Sequence, residues 1–288
     1  MNLESLNTPA AVIDVARMHR NIERMQQRMN ALGVRFRPHV KTTKCKQVVR
    51  AQMDAGARGI TVSTLKEAEQ FFASGIRDIV YAVGMAPAKL ARALALRRQG
   101  CDLKIVADSV ACAEAIAAFG RAYEEPFEVW IEIDVDGHRS GIKPDDDALL
   151  AVAATLSNGG MRLGGVLAHA GSSYDYDTRD ELVQIAEQER SRCVRAAERI
   201  RAAGLRCDVV SIGSTPTALA AEHLEGVTEV RAGVYVMFDL VMHNIGVNDA
   251  SENAPFSLSS LRSRTGTTSS TSASTLTVIS DGWLLLPT

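Results

Sequence analysis

One unit recurs between about residue 14 and residue 235, a short apolar strand followed by an amphipathic helix. The spacing predicts strands at 35–40, 59–63, 78–83, 102–108, 127–134, 163–170, 208–213 and 229–234. Between them lie helical patterns such as "LKEAEQFFA" (Leu65–Ala73) and the long run 177–203. In that run Leu182, Ile185, Ala186, Cys193, Ala196, Ala197 and Ile200 keep nearly helical periodicity. Gly33, Gly56, Gly75, Gly100 and Gly204 fall where helices should stop, in the left-handed exit that glycine favours. A crossover helix returns the chain to the same end, so strands joined this way must be parallel. Eight such units in this span suit a closed (β/α)8 barrel, the TIM-barrel architecture. An open doubly wound sheet would carry a glycine-rich phosphate turn after its first strand, where this chain has "KTTKC". The expected organisation is therefore a barrel over 1–247 with a short N-terminal extension. Residues 248–288 form a separate tail, whose stretch 257–275 is nearly all Ser, Thr and Arg, with too little apolar content to pack.

Composition narrows the function. With 46% hydrophobic and 23% charged residues and a net charge of -2, the chain has an ordinary globular balance with no basic run, so nucleic acid is not an expected partner. No apolar stretch approaches the roughly 18 residues of a membrane span. The opening "MNLESLNTPA" has neither the basic start nor the apolar core of a secretory signal. Cys45, Cys101, Cys112, Cys193 and Cys207 are odd in number and dispersed, which argues for reduced thiols in a cytoplasmic protein and against a structural zinc site.

Chemistry in a parallel barrel collects at the C-terminal strand ends. Those ends here are Lys41, Ser63 and Thr64, Asp108, "DVDGHRSG" (134–141), "HAGSSYD" (169–175), "SIGSTPT" (211–217) and "RAGVY" (231–235). The Gly-Ser-Thr and Ala-Gly-Val turns of the last two strands offer exposed N–H groups, with a helix expected near Pro216, as an anion cradle suited to phosphate. In "FRPHVKTTK" (36–44) Arg37, His39 and Lys41 alternate onto one face, which sends Lys41 across the same mouth. A lysine facing a phosphate site, with no Walker loop, points to a lysine-bound phosphorylated aldehyde, pyridoxal 5'-phosphate (PLP). Neighbouring cations would favour the neutral, nucleophilic amine.

The segments "RPHVKTTK", "GITVSTLKEAEQFF", "EVWIEIDVDGHRSG", "GMRLGGVLAHAGSSY", "SIGSTPTA" and "VRAGVYVMFDLVM" resemble PLP enzymes of the alanine-racemase-like fold. More narrowly, they resemble the D-serine dehydratase/D-threonine aldolase group, over about Thr8 to Val247. The resemblance implies that Lys41 forms the Schiff base with PLP and that Arg139 reaches the cofactor's phenolic oxygen. It places His169 beside the pyridine ring and Tyr174 near the ring nitrogen. It gives Ser214, Thr215, Gly233 and Tyr235 the phosphate, with Gly213 shaping the turn. His39, on the face of Lys41, is either a tuning group or ordinary packing.

By the same resemblance the expected activity is a lyase on D-3-hydroxy amino acids such as D-threo-3-hydroxyaspartate or D-serine, releasing a 2-oxo acid and ammonia. A freed Lys41 would remove the α-proton, and a divalent metal would help the β-hydroxyl leave. Relatives bind that metal through a His-x-Cys pair in a C-terminal β domain, pair as homodimers, and pack the N-terminal segment on that domain. No cysteine follows Cys207 here, so the metal's ligands are missing. The tail then reads as an altered frame with early termination, and dehydration is expected to be impaired. Two other readings stand beside this one: a retro-aldol lyase of the D-threonine aldolase type, and a PLP-binding barrel without robust catalysis.

Overall fold

A computed structural model of the chain describes residues 10–258 and 276–279. Strand β1 (Ala10–Asp14) leads into helix α1 (Val15–Ala31), which starts where the Asp14 carboxylate accepts the Arg17 N–H. The repeating part follows as β2 (Arg35–Phe36), α2 (Lys46–Asp54), β3 (Ile60–Val62), α3 (Leu65–Ala73), β4 (Asp78–Gly84) and α4 (Leu90–Arg98). It continues as β5 (Asp102–Ala107), α5 (Val110–Ala122), β6 (Glu128–Ile133), α6 (Ala148–Asn158), β7 (Arg162–Ala168) and α7 (Arg179–Ala202). The last turns are β8 (Val209–Ile212), α8 (Thr215–Ala220), β9 (Glu229–Val230) and the short α9 (Leu240–Asn244). Strands β10 (Pro255–Leu258) and β11 (Leu276–Ile279) come from the tail.

Strands β2 to β9 form one eight-stranded sheet in the order β2-β9-β8-β7-β6-β5-β4-β3, parallel throughout. A parallel bridge between His39 and Thr61, with the Thr61 N–H on the Pro38 carbonyl, joins its two ends and closes the barrel. All eight strands lie where the apolar pattern puts them, and the five glycines expected to end helices all have positive φ. The first and last strands are much shorter than 35–40 and 229–234. Pro38 has no N–H to give a ladder, and the chain turns into a 3-10 helix at Val40–Thr42. Lys41 therefore sits on a turn after the strand, not on its last residue.

Two separate packings hold the barrel. Helices cover the outside through one continuous apolar cluster. Inside, Val80, Val106, Trp130 and Leu167 form a smaller plug. Below that plug the interior is charged. The Arg37 guanidinium, 3% exposed, bonds Glu229 at 3.1 Å and Asp78 at 2.7 and 3.0 Å, and Lys104 bonds Asp78 at 2.6 Å. The Ser211 hydroxyl donates to Glu229 at 2.7 Å.

The N-terminal strand, expected to lose its partner with a missing domain, has two: β10 and β11 flank β1 in an antiparallel sheet. Of the Ser/Thr-rich run, 257 and 258 end β10, while 259–275 and with them the altered-frame expectation lie outside the described residues. Removing one member of a buried ion pair strands its partner without compensation. Glu229→Ala should accordingly cost about 3 kcal/mol, seen as a lower urea midpoint with an unchanged slope.

Candidate active site

The C-terminal strand ends surround one cavity. His39, Lys41 and Thr42 line it from the turn after β2, Ser63 from β3, Ala82 and Val83 from β4, and Glu132 from β6. The rim continues through Arg139, Leu167, His169 and Tyr174 and Gly213–Thr215 after β8, and Arg231–Val234 after β9 bring it back beside the turn that carries Lys41. Eight of the nine residues expected at the site thus share its walls. Tyr235 is the correction. Its ring is buried edge-on against Phe36 (centroids 5.2 Å apart) and its hydroxyl bonds Gln52 at 2.8 Å, so the side chain faces the core.

The anion cradle has a different donor set from the one expected. Ser214 and Thr217 form a capping box at the start of α8, each N–H bonded to the other's hydroxyl at 3.0 and 3.1 Å. The Tyr235 N–H is spent on the Thr215 hydroxyl at 3.1 Å. Among the described residues the N–H groups of Gly233 and Val234 make no hydrogen bond, and the Thr215 N–H meets only the Tyr174 hydroxyl. Half-buried backbone donors left without a protein partner on a cavity wall mark a place for an anion. Glycine is needed there: a Cβ on Gly233 would lie 2.6 Å from the His39 carbonyl oxygen. The donors present fit a phosphate.

The loop after β6 is braced to present Arg139. The Asp134 carboxylate accepts the Gly137 N–H at 2.8 Å, and Asp136 accepts the N–H and hydroxyl of Ser172, both at 2.8 Å. Both acidic groups are therefore occupied with the backbone, and Arg139 has no ion pair among the described residues. Its stem runs over Gly171, where a Cβ would meet it at 2.7 Å.

Electrostatics set the proton states. Burial, then the charge of Arg139, pull the Lys41 pKa down; Glu67 opposes them, and Arg231 adds a smaller downward pull. His39 is held well below its usual range by burial and by Lys41, and its Nδ1 accepts the Lys41 N–H at 3.5 Å, so it is a neutral neighbour. Burial raises the Glu132 carboxyl and pushes the Tyr174 hydroxyl up to about 12. Arg231, 5% exposed, donates to the Ala168 carbonyl at 2.6 Å and the Ser211 hydroxyl at 3.3 Å.

Arg231 and Glu132 were given no role by the sequence. Arg231 stands inside the quoted "RAGVY", and Glu132 is two residues past the inward Trp130, so strand alternation alone would have pointed it inward. Asp108 lies against Gly84, beside a neighbouring groove rather than this cavity. Among the described residues no group of three or more His, Cys, Asp or Glu side chains could hold a metal ion.

Comparison with known proteins bears on the fold and the family. The model of the alanine racemase N-terminal domain matches residues 13–241. The chain belongs to that family. Within the alanine racemase N-terminal domain family it is 69% identical over 253 residues to the D-threo-3-hydroxyaspartate dehydratase of Delftia sp. (strain HT23), covering 88% of this chain and 67% of that protein. The solved structure of the Delftia enzyme superposes with a TM-score of 0.88 at 68% identity, over 88% of this chain and 68% of that one. A D-threonine aldolase of Arthrobacter sp. is 31% identical over 271 residues, 91% of this chain and 70% of that protein. The chain thus spans about two thirds of the length of these family members.

Burial, only partly offset by its bond to the Gly213 carbonyl, lowers the His169 pKa from 6.5 to about 4. As pH falls the unfolded chain takes up this proton first, so stability is lost on going from about pH 6.5 down through about pH 4, by at most about 3 kcal/mol. His169→Gln should remove that one-proton slope from the pH dependence of urea unfolding while leaving the carboxylate-driven part.

Proposed function

We propose that the chain is a PLP-dependent ammonia-lyase of the D-amino acid dehydratase type, acting on D-3-hydroxy amino acids with D-threo-3-hydroxyaspartate as the leading substrate. The observation that carries this reading is Lys41 on the same cavity as the Thr215, Gly233 and Val234 N–H groups, the last two without a partner among the described residues, in a chain 69% identical to the Delftia dehydratase. PLP, when bound, supplies the electron sink that lets a substrate's α-proton leave.

The chain's own groups supply the rest. The N–H groups of Thr215, Gly233 and Val234 would hold the phosphate, with Gly213 letting the turn approach. Lys41, biased toward its neutral amine, both joins the cofactor and takes the α-proton. Arg139 offers its free guanidinium to the phenolic oxygen. His169 and Tyr174, with ring centroids 6.1 Å apart, wall the ring side, and Tyr174 keeps its proton at neutral pH. Loss of the α-hydrogen and β-hydroxyl as water leaves an enamine, which hydrolyses to the 2-oxo acid and ammonia. No residue described here is assigned to a divalent metal.

The reading includes a homodimer and a cytoplasmic location. Leu240 and Val241, 69% and 55% exposed on α9, support the first, and five unpaired thiols support the second. No helix of the described residues is long and apolar enough to cross a membrane.

Adding PLP should give the wild-type protein a visible absorption band, and D-threo-3-hydroxyaspartate should then yield oxaloacetate and ammonia. Lys41→Ala should lose both the band and the turnover. A band that persists in the variant removes Lys41 from its role, and glycine as product replaces the dehydratase with a retro-aldol enzyme.

A further inference from the structure

Helix α7 carries a carboxyl group where its pattern calls for an aliphatic side chain. Glu189 lies on the stripe of Leu182, Ile185, Ala186 and Cys193, and it is 0% exposed. Burying a carboxyl among apolar neighbours costs several kcal/mol unless its oxygens find donors. One of them does. Glu189 Oε1 accepts the Ala170 N–H at 2.8 Å and the Gly213 N–H at 3.1 Å, while Oε2 makes no well-formed hydrogen bond among the described residues and has only the Thr217 hydroxyl near the carboxyl. Packing alone does not account for a carboxyl placed in the core.

The two donors belong to two different strand-end loops, and His169 joins the same circuit. Ala170 N–H is part of the peptide that follows His169, so Oε1 fixes that peptide plane. Gly213, held through its N–H by the same oxygen, turns its carbonyl to His169 Nδ1 at 2.9 Å. A carbonyl oxygen only accepts, so Nδ1 carries the hydrogen. A neutral imidazole has one such hydrogen, which leaves Nε2 bare. Nε2 has no partner among the described residues, and His169 lines the cavity.

We propose that Glu189 is a positioning residue: from behind the cavity wall it locks the His169 peptide and the Gly213 turn in the one arrangement that leaves His169 Nε2 an unprotonated acceptor facing the site. The functional meaning of this arrangement rests on the PLP reading above; the arrangement itself does not.

The test therefore starts on the full chain without cofactor. Nitrogen-15 spectra of histidine-labelled protein should show His169 protonated on Nδ1 and bare on Nε2, and the Ala170 and Gly213 amides should exchange slowly with solvent. Glu189→Gln keeps an acceptor oxygen and should retain the wild-type His169 signals. Glu189→Met keeps the volume without an acceptor, so it should lose the single tautomer and bind PLP about tenfold more weakly, the scale of one lost hydrogen bond. The proposal is overturned by an Nε2-protonated His169, by fast exchange at both amides in the wild type, or by a change of tautomer in Glu189→Gln. It is equally overturned by a folded Glu189→Met with unaltered His169 signals, even if that variant melts lower. Should Glu189→Met not fold, the wild-type exchange rates and Glu189→Gln still decide. A chain with the expected tautomer that takes no PLP would keep this inference and remove the cofactor reading instead.

Discussion

A buried guanidinium underpins the mouth of the barrel. Arg231 is tied to the ends of two neighbouring strands, through the Ala168 carbonyl at the end of β7 and the Ser211 hydroxyl on β8. It also lies near Glu229, Glu189 and Glu132. A charge held this way cannot rearrange when another charge approaches. Burial lowers the pKa of His39, Lys41 and His169 together, and the field of Arg231 adds to that of Arg139, the larger charge influence on Lys41 and His169. The charged layer beneath, with Arg37 between Glu229 and Asp78, keeps the compensating carboxylates in place.

That fixed charge has a geometric counterpart in the backbone. Eight parallel strands bring eight loops to one rim, so residues as far apart in sequence as Lys41 and Val234 meet on it. Most of the rim's polar groups are spent on one another: Asp136 on Ser172, Ser214 on Thr217, Thr215 on Tyr235. What is left unspent among the described residues is specific: the Gly233 and Val234 N–H groups, the Arg139 guanidinium and His169 Nε2. Because the remaining groups are already satisfied, these few cannot relax into local bonds, and they stay available to an anionic, planar guest.

The strand ends were legible in the sequence because burial on both faces leaves apolar runs, and glycines with positive φ mark each return. Strand limits near Pro38 were not, since whether an extended segment counts as ladder depends on which N–H groups find partners, a tertiary fact. The same limit explains Tyr235. Alternation within "RAGVY" cannot foresee a 3-10 turn at Val234–Val236, which swings the ring onto Phe36. Ser214 looked like a phosphate donor because Gly-Ser-Thr turns often are, but a threonine three residues on converts it into a cap. Glu189 was visible as a break in an apolar stripe, and only the folded chain shows the two amides that make the break tolerable.

The differing proton states at the mouth follow from where each group starts. Burial and mutual repulsion act on every cation there, yet a guanidinium begins so far above neutrality that lowering it leaves Arg231 charged. An amine begins closer, so the same influences enlarge the neutral fraction of Lys41, and an imidazole begins at the threshold, so His169 is neutral outright. One environment thus yields a permanent positive charge, a nucleophilic amine and a proton acceptor, sorted by intrinsic basicity alone. Replacing Arg231 with lysine would not preserve this sorting in full, because a buried ammonium would itself be open to losing its proton, and its share of the field on Lys41 and His169 would go with it while burial and Arg139 remained.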